Sequence, residues 1–151
     1  MVKKILVIIL CVTAFCVILV ILLPTEKKRF KRDIMSFKKA VEQENTREAI
    51  GFIAPDYRDR KGMTYPTFAD MIERFATEFD SMNASMSGLK VFIDSTDEQG
   101  VLFAHCSLGL KLFARYQGDR TLLYGGIVRP ASVRAWFRKM SDQYQVYDAT
   151  Y

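Results

Sequence analysis

Nineteen consecutive residues without a charge, Ile5 to Leu23, constrain this 151-residue chain more than any other feature. Fifteen of them are Leu, Ile, Val or Phe. As a helix the run is about 28 Å long at ~1.5 Å per residue, close to the ~30 Å hydrocarbon thickness of a bilayer. Its apolar side chains favour insertion by on the order of 6 kcal/mol. A core helix would carry a polar face, and here only Thr13 breaks the run. A cleaved export signal has a shorter apolar stretch, ~7–15 residues, ahead of small residues; this run leads into Leu22, Leu23, Pro24, Thr25 and Glu26, with no A-x-A site. Cys11 follows Leu10 and Cys16 follows Phe15, so neither has the small predecessor of a lipid-modified cysteine. The sequence therefore predicts an uncleaved anchor over residues 1–26, bounded by Ile5 and Leu23, with membrane lipid as its partner.

The formal charge of +5 is unevenly placed. Residues 1–32 hold seven basic residues against Glu26, a net of +6, while residues 33–151 hold 15 basic and 16 acidic residues, a net of −1. The body of the chain thus lacks the basic footprint of a nucleic-acid binder, and no nucleic-acid partner is expected. Lys27, Lys28, Arg29, Lys31 and Arg32 form a juxtamembrane segment, 27–32, suited to anionic headgroups. Counted across the apolar run, the basic flanks favour a cytoplasmic domain. The short basic tail before a long apolar run also resembles a bacterial signal anchor, which exports the domain behind it. The expectation adopted is a single-pass protein of a bacterial-type inner membrane with an extracytoplasmic domain, the cytoplasmic side staying open. Cys106 is the one cysteine beyond the apolar run, so no disulfide closes within the remainder.

Beyond Pro24 the hydrophobic period is first helical. Ile34, Phe37, Ala40 and Val41 predict a helix ending near Asn45; TREAIGFI predicts a shorter one that stops before Pro55. PDYRDRKGMT has no period and is a loop or short hairpin. Phe68, Met71, Ile72, Phe75 and Phe79 make a third helix whose stripe is a packing face rather than a cofactor box, with Pro66 in its first turn. From Gly88 the period becomes two: LKVFIDS, then Val101–Tyr116, then TLLYGGIVR, VRAWFRKM and YQVYDATY. In the long strand Leu102, Ala104, Cys106, Leu108, Leu110, Leu112, Ala114 and Tyr116 share the core face, and His105 stands on the other. Sixteen residues would extend roughly 50 Å at ~3.3 Å each, so a bend is expected near Gly109. Helices followed by an antiparallel meander give an α+β fold with helices on one face of the sheet.

One histidine and scattered carboxylates offer no metal-ligand spacing, and Gly125 and Gly126 lie in a predicted strand rather than a phosphate loop, so neither metal nor cofactor is expected.

FKKAVEQENTREAIGFI, the following PDYRDRKGMTY, the amphipathic third helix and the closing VRAWFRKMSDQYQVYDATY together resemble the nuclear transport factor 2-like superfamily. This fold is shared with SnoaL-like cyclases and ketosteroid isomerases; Tyr144 stands where Trp is common. The resemblance covers about residues 30–151 and implies a cone of three helices on a curved antiparallel sheet, the domain spanning 33–151. It implies a pocket lined by Phe37, Phe68, Ile72 and Phe75, and a homodimer formed through the outer sheet face. In YRDRKG, Asp59 matches the general base of the isomerases, or is a solvated loop carboxylate flanked by Arg58, Arg60 and Lys61, with Tyr57 as an acid or as a lid packed on the third helix. Phe37 departs from the pattern: those enzymes carry an oxyanion-stabilising Tyr there, and without it a developing enolate loses a large stabilising interaction.

Two functions are compatible with this pattern. One is a membrane-tethered, non-catalytic module that docks a protein partner or a small apolar ligand; an envelope or secretion-system assembly factor, as in the bitopic assembly proteins of type IV secretion systems, is a version of it. The other is an isomerase, cyclase or hydratase acting on a small apolar carbonyl compound, with Asp59 as base.

Overall fold

The computed structural model describes residues 25–151. The expected anchor, Ile5 to Leu23, lies outside the described residues; among those described, no helix is long and apolar enough to cross a membrane.

Thr25 opens the fold. Its backbone is extended and its hydroxyl accepts from the Lys28 amide, capping α1, Glu26–Glu42. The basic segment 27–32 therefore forms the first turns of α1 rather than a separate linker, and Phe30 within it has 0 % exposure in the core. Helix α2, Thr46–Gly51, is capped by Asn45. The chain then joins the sheet edge, where Ile53 bridges Val146 and the Ala54 amide donates to the Val146 carbonyl at 2.9 Å. PDYRDRKGMT closes as a short hairpin, with Arg58 bridged to Thr64 and Gly62 at φ +87°. Helix α3, Tyr65–Glu78, has Pro66 in its first turn.

Five strands complete the domain: β1 Ser81–Thr96, β2 Leu102–Tyr116, β3 Asp119–Tyr124, β4 Ala131–Met140 and β5 Gln143–Thr150. All pairings are antiparallel. β2 is central, with β1 along one edge; on the other edge Phe103–Leu110 face β4 and Leu112–Tyr116 face β3. β5 extends the sheet beyond β4.

Two strand boundaries differ from the sequence expectation. β1 begins at Ser81, seven residues before Gly88, because Ser, Met, Asn and Ala carry little strand propensity and are recruited by pairing with Gly109–Arg115. β3 stops at Tyr124; Gly125 turns at φ +89°, and Ile127 and Val128 are 89 % and 86 % exposed instead of lying in a strand. The bend expected near Gly109 is present, and the extra residue sits on the partner strand. The register shifts between Ser87 and Lys90, opposite Gly109, with Gly88 at φ +61°. A Cβ on Gly109 would lie 2.7 Å from Ser87 Oγ and 2.8 Å from Pro130 Cγ, so the curve depends on glycine there.

The alternating faces of β2 are as expected except at Tyr116, expected on the core face but 50 % exposed beside Phe79 at the strand's end. Ala104, Cys106 and Ala114 are buried with Phe30, Ile34, Phe137, Tyr144 and Val146 beneath the helices, while Phe103 and His105 face outward. Outside, the His105 ring stacks on Phe92 at 4.7 Å and its Nδ1 lies 2.9 Å from Asp94.

Candidate functional site

Helix α3 has a strong apolar stripe and no fully buried residue. The stripe faces a hollow. Between α1, α3 and the inner sheet face lies a cavity of about 340 Å³, lined by Phe37, Phe68, Ile72 and Phe75 from the helices and by the leucines of β2 from the sheet. This volume falls within the ~300–1,000 Å³ of small-molecule sites. Met63, Met71, Met82 and Met86 also line it, giving unbranched, polarisable walls that adjust to an occupant's shape. Small residues at Ala84, Ala135 and Ala149 leave the space that larger side chains would fill.

Three tyrosines bring hydroxyl-bearing rings to this lining: Tyr57, Tyr124 and Tyr151. Tyr57 is 3 % exposed and packs on Phe68 at 5.2 Å, closing one wall against α3. Burial, with the Asp59 carboxylate beside it, pushes its hydroxyl well above the usual phenol range. Tyr124 is raised by burial, and Tyr151 is pushed up to about 12 by burial and its hydrogen bond to Asp59. Burial lifts the Cys106 thiol to about 11. At neutral pH these groups hold their protons: they can donate hydrogen bonds and supply neither base nor thiolate.

Asp59 is 5 % exposed and stands behind this wall, outside the lining of the cavity. Its Oδ1 accepts from the Lys61 amide at 2.9 Å and the Met63 amide at 2.8 Å, and its Oδ2 accepts from the Tyr151 hydroxyl at 2.7 Å. Burial works to raise its pKa; the Tyr151 hydroxyl and the amides of Met63, Lys61 and Gly62 outweigh it, and the carboxyl sits below its ordinary value. A carboxylate so held is a stable anion and a weak base. Lys61 Nζ lies 4.0 Å from the centroid of the Tyr151 ring, fixing that ring from the outer side.

Sequence reasoning missed Tyr151 and Asp33. Tyr151 reads as the tail of a strand, and its contact with Asp59 crosses 92 positions. Asp33 is buried at 8 % exposure and accepts from the Tyr144 amide at 3.0 Å, tying α1 to the start of β5. A lone Asp within an apolar helical period is the signal that could have marked it. Of the residues expected at headgroups, Arg29 is half-buried and pairs with Glu26 at 3.3 Å; Lys27, Lys28, Lys31 and Arg32 are exposed.

No family model matches the chain, and no curated protein matches it. Solved structures do. A candidate scytalone dehydratase from Novosphingobium aromaticivorans aligns with TM-score 0.63 at 17 % identity, covering 82 % of this chain and 80 % of that one. A candidate dehydratase of the nuclear transport factor 2-like family from Streptomyces avermitilis aligns with TM-score 0.59 at 9 % identity, covering 81 % and 91 %. The helical cell shape determining protein Pgp2 of Campylobacter jejuni aligns with TM-score 0.62 at 11 % identity over 78 % of this chain, which spans 38 % of that longer protein. At these identities the likeness is one of architecture, and it agrees with the element order, the bent β2 and the hollow beneath α3: the chain carries a domain of the nuclear transport factor 2-like fold.

Proposed function

We propose that this domain is a non-catalytic, membrane-tethered module that binds a small, largely apolar ligand in the cavity between α1, α3 and the sheet. The observation that carries the proposal is the cavity itself: about 340 Å³ of apolar space kept open by alanines and walled by methionines and aromatics. Apolar walls that do not meet each other lack dispersion contacts across the hollow, and an apolar occupant supplies them. Tyr151 spends its hydroxyl on Asp59, which leaves Tyr124 to meet the polar end of a ligand.

The test is saturable binding of 2-naphthol to the full chain in nanodiscs, against the same chain carrying Leu112→Trp, which fills the cavity. Partition into lipid is common to both and does not saturate. The expected result is a saturable component in the parent chain, weakened at least tenfold in the variant; equal binding by the two would remove the proposal.

An enzyme reading has one observation in its favour, the 2.7 Å hydrogen bond from Tyr151 to Asp59 beside the cavity wall. It would make Asp59 the base and Tyr57 or Tyr151 the acid on a small apolar carbonyl compound. The same bond, together with the turn amides, outweighs burial and holds Asp59 as a weak base, and for that reason we rank this reading second.

The outer sheet face carries Phe92, Phe103 and Tyr147, and Phe92 is 46 % exposed. We assign this face to self-association, which would bury these rings against their copies. Sedimentation should show a dimer that Phe92→Glu converts to monomer; a parent chain that sediments as a monomer would remove the assignment.

A further inference from the structure

Helix α1 sorts its charges by side. Each of its three acidic residues is engaged within the fold. Glu26 accepts from Lys139 Nζ and the Tyr144 hydroxyl, each at 3.0 Å; Asp33 accepts from the Tyr144 amide; Glu42 accepts from Lys38 Nζ at 2.6 Å and the Ala84 amide at 2.9 Å. The side facing away from the core is cationic. Lys27, Lys28, Lys31, Arg32 and Lys39 are all exposed, with Met35 at 44 % exposure in their midst. At 100° per residue these six positions cover an arc of about 140° centred close to Met35, opposite Phe30, Asp33, Phe37 and Ala40; Lys38 and Glu42 fall in the same arc near the helix's end, where they pair with each other at 2.6 Å and Glu42 is drawn to the Ala84 amide. From Lys28 to Lys39 the face runs about 16 Å along the axis, and among the described residues Arg32 alone of its exposed cations approaches a carboxylate, Asp33 at 3.7 Å.

We propose that this face of α1 lies flat on a bilayer of anionic lipid, with its cations among the phosphates and Met35 at the headgroup boundary. The proposal rests on the membrane tether and goes further, since a tether alone would let the domain stand clear of the surface. Three observations favour a bilayer over other polyanions. The chain outside the described residues ends at Pro24, and the apolar run stops at Leu23, four residues before Lys27, so the face begins where headgroups begin. Thr25 is extended and caps a new helix, so α1 does not continue the apolar run and the chain can turn a corner between the two. The bonds from Lys139 and Tyr144 to Glu26 then lock the first turn of α1 to the sheet, so that the pose of the helix is the pose of the domain. Each cation near an anionic surface adds to the attraction, which falls off within a Debye length of ~10 Å. Lys39 and Met35 join the surface, and Arg29, consumed by Glu26, leaves it.

The experiment uses the full chain with Cys11→Ala and Cys16→Ala, a bimane label on Met35→Cys or, as a control, on Phe92→Cys, and nanodiscs of phosphatidylcholine with or without phosphatidylglycerol. A spin-labelled headgroup lipid serves as quencher. The expected result is quenching at position 35 several-fold greater in anionic than in neutral discs, released by 0.5 M salt or by Lys28→Glu with Lys31→Glu and Lys39→Glu, with position 92 unaffected. A chain that resists alkaline carbonate extraction yet shows no anionic-lipid quenching at position 35 overturns the proposal and leaves the tether standing. A chain that washes off in carbonate overturns both. A shift of single-stranded RNA by the same face, without quenching, assigns it to nucleic acid and overturns the bilayer.

Discussion

Replacing Phe30 with alanine is expected to lower the unfolding free energy by about 3–5 kcal/mol, the usual range for emptying a buried aromatic site. Phe30 has no exposed surface and is held edge-on by Phe137 at 4.9 Å and against Tyr144 at 4.8 Å. Both partners belong to strands whose backbones are fixed by pairing to each other, so the site cannot collapse around the missing ring. For a domain with a total stability of about 5–15 kcal/mol the loss is a large fraction of the whole. Lys31→Ala, one position away and exposed, is the control and should move stability by less than about 0.5 kcal/mol. Urea denaturation of the domain followed by circular dichroism measures both. Equal, small effects at the two positions would mean that the first turns of α1 do not belong to the core and that the basic segment is a linker after all.

Asp59→Asn separates the two functional readings. The Asp59 carboxyl is lowered in the fold, so its contribution to stability is complete above the ordinary carboxyl range near pH ~4 and is lost as pH falls through the lowered folded value. The variant should therefore be less stable than the parent at pH 7, by about 1–3 kcal/mol for hydrogen bonds to a buried charge. The gap should narrow in acid. Glu26, also lowered as its bonds to Lys139 and Tyr144 outweigh the opposing effect of burial, remains in the variant, so the acid limb is reduced and not abolished. A gap that stays constant from pH 7 to pH 2 would show that ionisation of Asp59 is not its source. The same variant tests catalysis. An enzyme with Asp59 as general base should lose about 10²–10⁴-fold in turnover of a small apolar ketone, whereas a binding module has no turnover to lose and keeps its affinity for 2-naphthol.

Much of this architecture is legible in period alone. Ile34, Phe37, Ala40 and Val41 mark α1, the Phe68-to-Phe79 spacing marks α3, and strict alternation from Leu102 to Tyr116 separates the faces of β2, because a side chain's facing is set locally by 3.6 or 2 residues per repeat. The same local logic fails at Ser81–Ser87, whose residues become a strand through the partner Gly109–Arg115 and not through their own preference. It fails again at Ile127 and Val128, apolar residues left outside because Gly125 turns the chain before they could pair.

The candidate site divides along the same line. Asp59 and Tyr57 could be singled out from YRDRKG, but whether the carboxylate stood in solvent or behind a wall depended on Tyr151, brought to it across the sheet. That the apolar stripe of α3 faces a hollow rather than a filled core likewise depended on which residues β1, β2 and β4 placed opposite it. By itself the sequence determined the helices, the strand faces and the charge sorted toward one end of the chain, since each is set by neighbours a few residues apart. Only the tertiary structure decided the cavity, the saturation of Asp59 and the sorting of the charges of α1, with Glu26, Asp33 and Glu42 bonded to the sheet, because each requires side chains distant in sequence to meet, or to be drawn away, in space.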